Sequence, residues 1–372
     1  MDERGKRSRP PARILFWMNS PTFGGTERMN LRIIERLPRE RFSVDVLFFN
    51  ADRPDLLDEY QKTTNAVHVL SPRRVKELVR LLKRYDLLYV FGARANLLAR
   101  TLKPFYRASL LSGLHSVIPH TNPRAFSPLL LDRLTCNISD AVVSNSSSNI
   151  RYLREKYGYP RRYRVVEHGV DPAEIDAAEV RFSLRERFLL SSNSFSITTI
   201  GSLNEVKNHG MLVEALRVLA DDSIHAFFIG KGPLESELRA LRNRYGLENQ
   251  IHILTEEPEV FSFLKQSDLY VSVSRIEGLP GALLEAMACS LCPIATAVPG
   301  NDQVVVDGET GRLVPLDDSM TLASAIADLK RDGGARKRMG ASARRLVLQR
   351  FNLDRCVKET VSLFEEFLRK NT

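Results

Sequence analysis

Cysteine is scarce: Cys136, Cys289, Cys292 and Cys356 are all there are in 372 residues. Cys289 and Cys292 form one C-x-x-C pair, but no second pair follows and no histidine cluster lies near, so small core residues are the plainer reading than zinc. Such sparse use fits a reducing compartment. Long apolar runs are missing as well. No stretch reaches the roughly 18 apolar residues of a membrane span. The run at 14–18 is too short for a secretory signal. A cytoplasmic protein, or one peripheral to a membrane, is expected. There is no short-period repeat and no disorder-prone composition, since 43% of residues are hydrophobic. No Asp-x-Asp occurs, so one common carboxylate pairing for a divalent metal is lacking and no metal is expected.

What is present is unevenly charged. The net charge of +9 divides into +12 over residues 1–190 and −3 over 191–372. A basic first half could meet phosphate on an acceptor or on anionic lipid; a solvated Arg-rich surface is the bland alternative. It carries no recognised nucleic-acid motif and no interleaved aromatics, so nucleic acid is not an expected partner.

Apolar runs alternate with helical periodicity. Strands are predicted at 13–17, 44–49, 66–70, 87–91, 110–114 and 141–144, with helices at 26–37 and 75–84 and others between. The pattern restarts after 190, with strands at 197–200, 226–229, 251–254, 269–273 and 292–296 and helices at 211–220, 234–245 and 283–288. Such alternation implies βαβ units and parallel sheets. The expected fold class is α/β with two doubly wound, Rossmann-like domains facing across a cleft. The expected divisions are a basic tail at 1–12, a first domain at 13–190, a second at 191–350 and a closing helix at 351–372, with Ser191–Ser194 as linker.

Four segments carry chemistry. In Ser274-Arg-Ile-Glu277-Gly278-Leu279-Pro280-Gly281-Ala-Leu-Leu-Glu285, a strand ends and a helix begins near Pro280. Free backbone N–H groups at such a helix start form a diphosphate site. Glu285, one turn in among apolar neighbours, can accept two ribose hydroxyls. Glu277 lies on the preceding loop, nearer a reacting sugar. The second segment, Gly201-Ser202-Leu-Asn-Glu-Val-Lys207-Asn208, presents a lysine to phosphate and Asn208 as a helix N-cap. The third, Phe23-Gly24-Gly25-Thr26-Glu27-Arg28, allows close backbone approach to ligand with Thr26 as N-cap. In the fourth, His115 ends a strand at the carboxyl edge, where open sheets bind ligands. Taken singly, a surface lysine, a glycine turn and a satisfied loop histidine are the competing explanations.

Taken together, these segments resemble the GT-B glycosyltransferases of family 4, the retaining group called glycosyltransferase group 1. The Val-Val-Glu-His168-Gly-Val-Asp171 segment, Val298-Pro-Gly300-Asn301 and Asp307-Gly308-Glu-Thr-Gly311 extend the likeness over residues 14–315. The resemblance implies transfer of a hexose-type sugar from a nucleotide-sugar, UDP favoured, to an acceptor hydroxyl with retention. It implies Lys207 on the diphosphate, Glu285 on ribose, Glu277 on the transferred sugar and His115 by the reacting carbon. Gly24, Gly25, Ser202 and residues 278–281 would contact the donor, and the end of strand 251–254 the base. No cofactor is implied, since the nucleotide-sugar is a substrate. The partner would be a glycan or lipid-linked acceptor, with an anionic membrane surface possible. Three positions depart from the family: Ser202 stands for the usual Arg, His168 for Asn and Gly281 for Asn. A nucleotide-sugar epimerase, or a binding protein without turnover, is the alternative on this fold.

Overall fold

In the first strand Ile14, Phe16 and Met18 are buried in one apolar cluster, and Leu15 and Trp17 in another. A strand buried on both faces needs helices on both sides, which is the condition for a parallel sheet. The computed structural model describes residues 10–22, 24–52, 54–115 and 126–369. The basic tail up to residue 9, Phe23 and Ser116 lie outside the described residues.

The chain forms two compact units: Met1–His168 with Leu353–Thr372, and Gly169–Asn352. The first holds β1 (Ala12–Met18), β2 (Phe42–Phe48), β3 (Ala66–Val69), β4 (Leu87–Phe91), β5 (Ser109–Leu114), β6 (Ala141–Ser144) and β7 (Tyr163–Val165) in the order β3-β2-β1-β4-β5-β6-β7. The second holds β8 (Phe195–Ile200), β9 (Ile224–Ile229), β10 (Ile251–Leu254), β11 (Leu269–Ser272), β12 (Cys292–Thr296) and β13 (Arg312–Val314) in the order β10-β9-β8-β11-β12-β13. Pairing among these strands is parallel throughout. Both sheets reverse strand order once, between β1 and β4 and between β8 and β11, and ligands sit at the carboxyl edge of such a switch point.

The division falls about twenty residues earlier than the composition suggests. Asp171 caps the helix Pro172–Ala177 through the N–H groups of Ala173 and Glu174. Ile175 is buried with Leu283 and Leu284, and Asp176 pairs with Arg344 at 2.8 Å. Phe182, Leu184 and Phe188 pack on Phe227 and Phe263. This apolar content binds residues 169–190 to the second unit, so Ser191–Ser194 is a turn inside it rather than a linker. The helix Leu353–Arg369 contributes Leu353, Val357, Phe364 and Phe367 to the core of the first unit. Its Glu366 receives Arg164 Nη2 at 2.5 Å.

The four cysteines are free; Cys136, Cys292 and Cys356 are buried, and Cys289 is partly so. Burial is the first cause that pushes the thiols of Cys289 and Cys292 up to about 12, so they remain protonated.

One capping expectation is corrected, for Thr26, while Asn208 does hold the N-cap position but makes no side-chain capping bond. The helix Gly25–Arg36 has Gly24 as N-cap with no side-chain bond, and Thr26 lies inside its first turn. Asn208 precedes the helix His209–Leu219 in a left-handed conformation (φ 52°) that aims its amide elsewhere: Nδ2 donates to Asp317 at 3.1 Å and Oδ1 accepts from Arg275 at 3.1 Å. Much of the basic charge expected for a solvated or lipid-facing first half is internal at 94–107. Arg100 is only 3% exposed and donates to Asp132, Ser112, Ser139 and Thr135, which satisfies it as a core cation. Lys103 donates to Ala108 O and Asp140, and Leu102 and Tyr106 are core. Of its basic and apolar residues, Arg94, Phe105 and Arg107 stand exposed, with Leu97, Leu98 and Lys103 partly so.

Candidate functional site

In the second unit the loops after β8 and β11 meet at the switch point. Arg275 N–H donates to Val206 O at 2.7 Å, stitching one loop to the other. Arg275, Asn208 and Asp317 close a ring of side-chain bonds beside it. Between the loops Lys207 Nζ donates to Glu277 Oε1 at 2.5 Å, and Ser274 Oγ donates to the same oxygen at 2.6 Å. Their side chains are 27% and 11% exposed, so the pair is partly shielded and worth more than a surface ion pair. Glu277 Oε2 makes no hydrogen bond to the described residues and can accept from a hydroxyl. An ammonium has three donors, so Lys207 can hold Glu277 and reach a phosphate oxygen at once.

The Glu277 loop is braced from below. Its N–H donates to Pro299 O at 3.2 Å. Thr296 Oγ1 donates to Ser274 O at 2.5 Å, and Asn301 Nδ2 donates to Thr296 O at 3.1 Å. Gly300 has φ +95°, and a Cβ there would lie 2.7 Å from Gly278 O and 2.8 Å from Glu277 Cβ. Only glycine allows this approach.

Next comes the helix Gly281–Ala288. Pro280 stands at its N-cap and no side chain caps it, so the first-turn N–H groups face outward without an internal cap. Leu283, Leu284, Ala286 and Met287 are buried, while Gly281 and Glu285, four apart on the other face, are exposed and half-exposed. A side chain at Gly281 would meet open space. Tyr270, buried beneath, donates to Ile200 O at 3.3 Å. Burial first, then the charges of Glu277 and Glu285, raises its pKa, which places both carboxylates in one neighbourhood. Ser202 is exposed, and its carbonyl accepts from Asn204 N–H at 2.9 Å. His209 is buried behind Lys207; burial, then that lysine, pushes it down to about 4, so it is neutral.

His115, Gly24 and Gly25 belong to the first unit. The His115 ring is held edge-on by Phe91 (4.8 Å) and His168 (4.5 Å). Burial, then His168, drives its pKa well below the ordinary value. Its Nδ1 is buried and has no hydrogen-bond partner among the described residues, which favours the neutral tautomer with its proton on Nε2. Gly24 has an ordinary extended φ of −105°, and a Cβ there would meet only the carboxylate end of Glu27, a flexible side chain that can swing aside. Glu27, Ser274, Tyr270 and the Gly300 brace were not singled out from sequence as site residues. The G-G-x-E spacing was the available signal for Glu27; for Tyr270, inside an apolar strand, there was none.

Two family models match the chain: glycosyl transferases group 1 over residues 180–346, and glycosyltransferase family 4 over residues 23–174. An Escherichia coli protein, UDP-Gal:alpha-D-GlcNAc-diphosphoundecaprenol alpha-1,3-galactosyltransferase, is 24% identical over 92% of this chain and 94% of its own. A Campylobacter jejuni N-acetylgalactosamine-N,N'-diacetylbacillosaminyl-diphospho-undecaprenol 4-alpha-N-acetylgalactosaminyltransferase is 25% identical over 54% of this chain and 53% of its own. Among solved structures, Anabaena Alr3699/HepE in complex with UDP superposes with a TM-score of 0.84 at 20% identity, covering 95% of this chain and 100% of that one. The fold is therefore GT-B, with two Rossmann-like domains.

Proposed function

The chain belongs to the group 1, family 4 glycosyltransferases, and from that premise we propose that it moves a hexose from a UDP-sugar to a hydroxyl of a lipid-linked glycan, with retention and without a metal. The observation that carries this is the Lys207–Glu277 pair in front of an uncapped helix start. A diphosphate at that start gains the helix dipole and the remaining Lys207 donors, both aimed where charge grows as the leaving group departs. Glu277 Oε2 accepts a hydroxyl of the transferred sugar, while the Oε1 bonds to Lys207 and Ser274 fix its position. Glu285 accepts the ribose hydroxyls on the outer face of the helix. His115, neutral, offers an Nε2–H rather than a proton. For retention the acceptor attacks from the face of the leaving diphosphate, whose oxygen takes the acceptor proton. The protein's part is orientation and charge stabilisation.

The UDP-galactose and diphosphoundecaprenol substrates in the relatives' names support the donor and a lipid-linked acceptor in cell-surface glycan synthesis. No helix of the described residues is long and apolar enough to span a membrane. Exposed Arg73, Arg74, Lys76, Arg80, Lys83 and Arg84 support a peripheral hold on anionic lipid at the cytoplasmic face. The test is a panel of UDP-, GDP- and ADP-sugars scored for thermal stabilisation and for diphosphate release, with and without EDTA. A UDP-sugar should stabilise the protein and be turned over in EDTA. A response to none of them, or release restored only by magnesium or manganese, would refute the donor or the metal-free assignment respectively.

A further inference from the structure

Among the described residues, five that are not glycine have a positive φ, and two of these are bonded to each other beside Lys207. They are Asn208 (φ 52°) and Asp317 (φ 59°), with Asn208 Nδ2 donating to Asp317 Oδ1 at 3.1 Å. Both also bond Arg275, whose Nη1 donates to Asp317 at 2.6 Å and whose Nη2 donates to Asn208 at 3.1 Å. We propose that Arg275 is a positioning residue for the Lys207 ammonium, with Asn208 and Asp317 as its anchors; this rests on the transferase reading above.

The backbone is the first argument. A left-handed conformation costs a residue that carries a Cβ, and such positions persist where their surroundings fix them. Glycine would take either conformation without steric cost but could not make these bonds. Connectivity is the second. Arg275 N–H donates to Val206 O at 2.7 Å, one residue before Lys207, and Arg275 Nη2 bonds Asn208, one residue after it. Arg275 thus grips both chain neighbours of Lys207, whose Nζ reaches Glu277 at 2.5 Å. Ser274, adjacent to Arg275, bonds the same Glu277 oxygen at 2.6 Å. Three loops meet here, those after β8, β11 and β13, and the third brings Asp317. A planar guanidinium bonds two acceptors at fixed angles, which the point charge of an ammonium does not. Exposure is the third argument. The Arg275 and Asp317 side chains are 42% and 50% exposed, so their ion pair adds little to stability. Its effect falls on where Lys207 stands, and a charge-stabilising group works only when placed in advance.

Steady-state kinetics, donor calorimetry and melting temperature test this on the full chain with the UDP-sugar that turns over. The variants are Arg275→Lys and Asp317→Gly, alone and combined with Lys207→Ala. Asp317→Gly opens the ring while suiting the positive φ, so its melting temperature should stay close to wild type. A carboxylate repels a diphosphate, so a loss in this variant is not a lost donor contact. Each single change should lower kcat about tenfold, less than the roughly hundredfold that an ångström of misplacement can cost. Donor Kd should stay within about twofold, because the loss falls on the transition state. With Lys207 already removed, neither change should lower kcat further, since groups that act as a unit are not additive. Unchanged kcat in both single variants, or the same fold loss with and without Lys207, overturns the proposal. Weaker donor binding in Arg275→Lys with Asp317→Gly unaffected would make Arg275 a donor ligand and overturns it too. A wild type that turns over no UDP-sugar defeats the transferase reading and this proposal with it, whereas an active wild type with indifferent variants defeats the positioning role alone.

Discussion

Glu285 is polar on an otherwise apolar helix, which is why it was legible. Its neighbours Leu284, Ala286 and Met287 are buried, while Glu285 is only partly so. Glu285→Ala should weaken UDP binding by about 1.5–3 kcal/mol, tenfold or more in Kd, by loss of a charged hydrogen bond. Calorimetry on a folded variant checks this, and unchanged affinity removes the residue from the ribose. Buried histidines set a second residue-scale effect. Burial pushes His168 down to about 3 and His209 to about 4. Their pKa values are lowered by folding, so the unfolded chain binds protons first as pH falls below about 6.5. Stability is then complete above that pH and is lost from about 6.5 down to about 4 for His209 and about 3 for His168, at up to ~1.4 kcal/mol per pH unit for each. Melting temperatures across this range should flatten in His209→Gln; an unchanged slope would show that the histidine is not charged on unfolding.

Several elements were legible to the residue: β4, β6, β10 and β12 lie where the apolar runs put them. Their ends were less so, because caps here depend on tertiary partners. Asn208 has the chemistry of an N-cap, yet its amide is drawn to Arg275 and Asp317 across the loops. The Val298-Pro-Gly300 turn has a role visible only in three dimensions, since it supports Glu277 from a different strand. Gly300→Ala should push the Glu277 loop outward, cost ~1–3 kcal/mol for a non-glycine residue at positive φ, and lower turnover. A variant with normal melting temperature and turnover would show the brace to be dispensable. On the helix Val75–Leu82, charge pattern and burial agree: Leu78, Leu81 and Leu82 are buried, while Lys76 and Arg80 are exposed. Reversing Lys76, Arg80, Lys83 and Arg84 to Glu should abolish sedimentation with anionic liposomes, and added salt should weaken wild-type binding. Recovery of the wild type in the supernatant with anionic vesicles at low salt would discard the membrane face.

At the scale of the molecule, the α/β class and its two doubly wound sheets could be read from the alternation of elements. The division between the units could not. Composition marks Ser191–Ser194 because it is polar, whereas the real boundary at His168 and Gly169 follows from where Ile175, Phe182 and Phe188 find apolar partners. The first-half charge was likewise legible in amount and not in place, because Arg100 and Lys103 are absorbed by Asp132 and Asp140. In the second unit the structure brings the candidate residues Lys207 and Glu277 together on two short loops, with Glu285 on the helix that follows, in an order that mirrors the strand switch. The central claim for this site is that Lys207 stabilises charge on a departing diphosphate. The most direct measurement is the rate of UDP release from the UDP-sugar that the panel selects, in wild type and Lys207→Ala, with donor affinity determined in parallel. Lys207→Ala should lower kcat by about a hundredfold or more, the scale of losing one preorganised charge-stabilising donor, with a smaller change in donor affinity. A near-normal kcat in the folded variant would contradict the account.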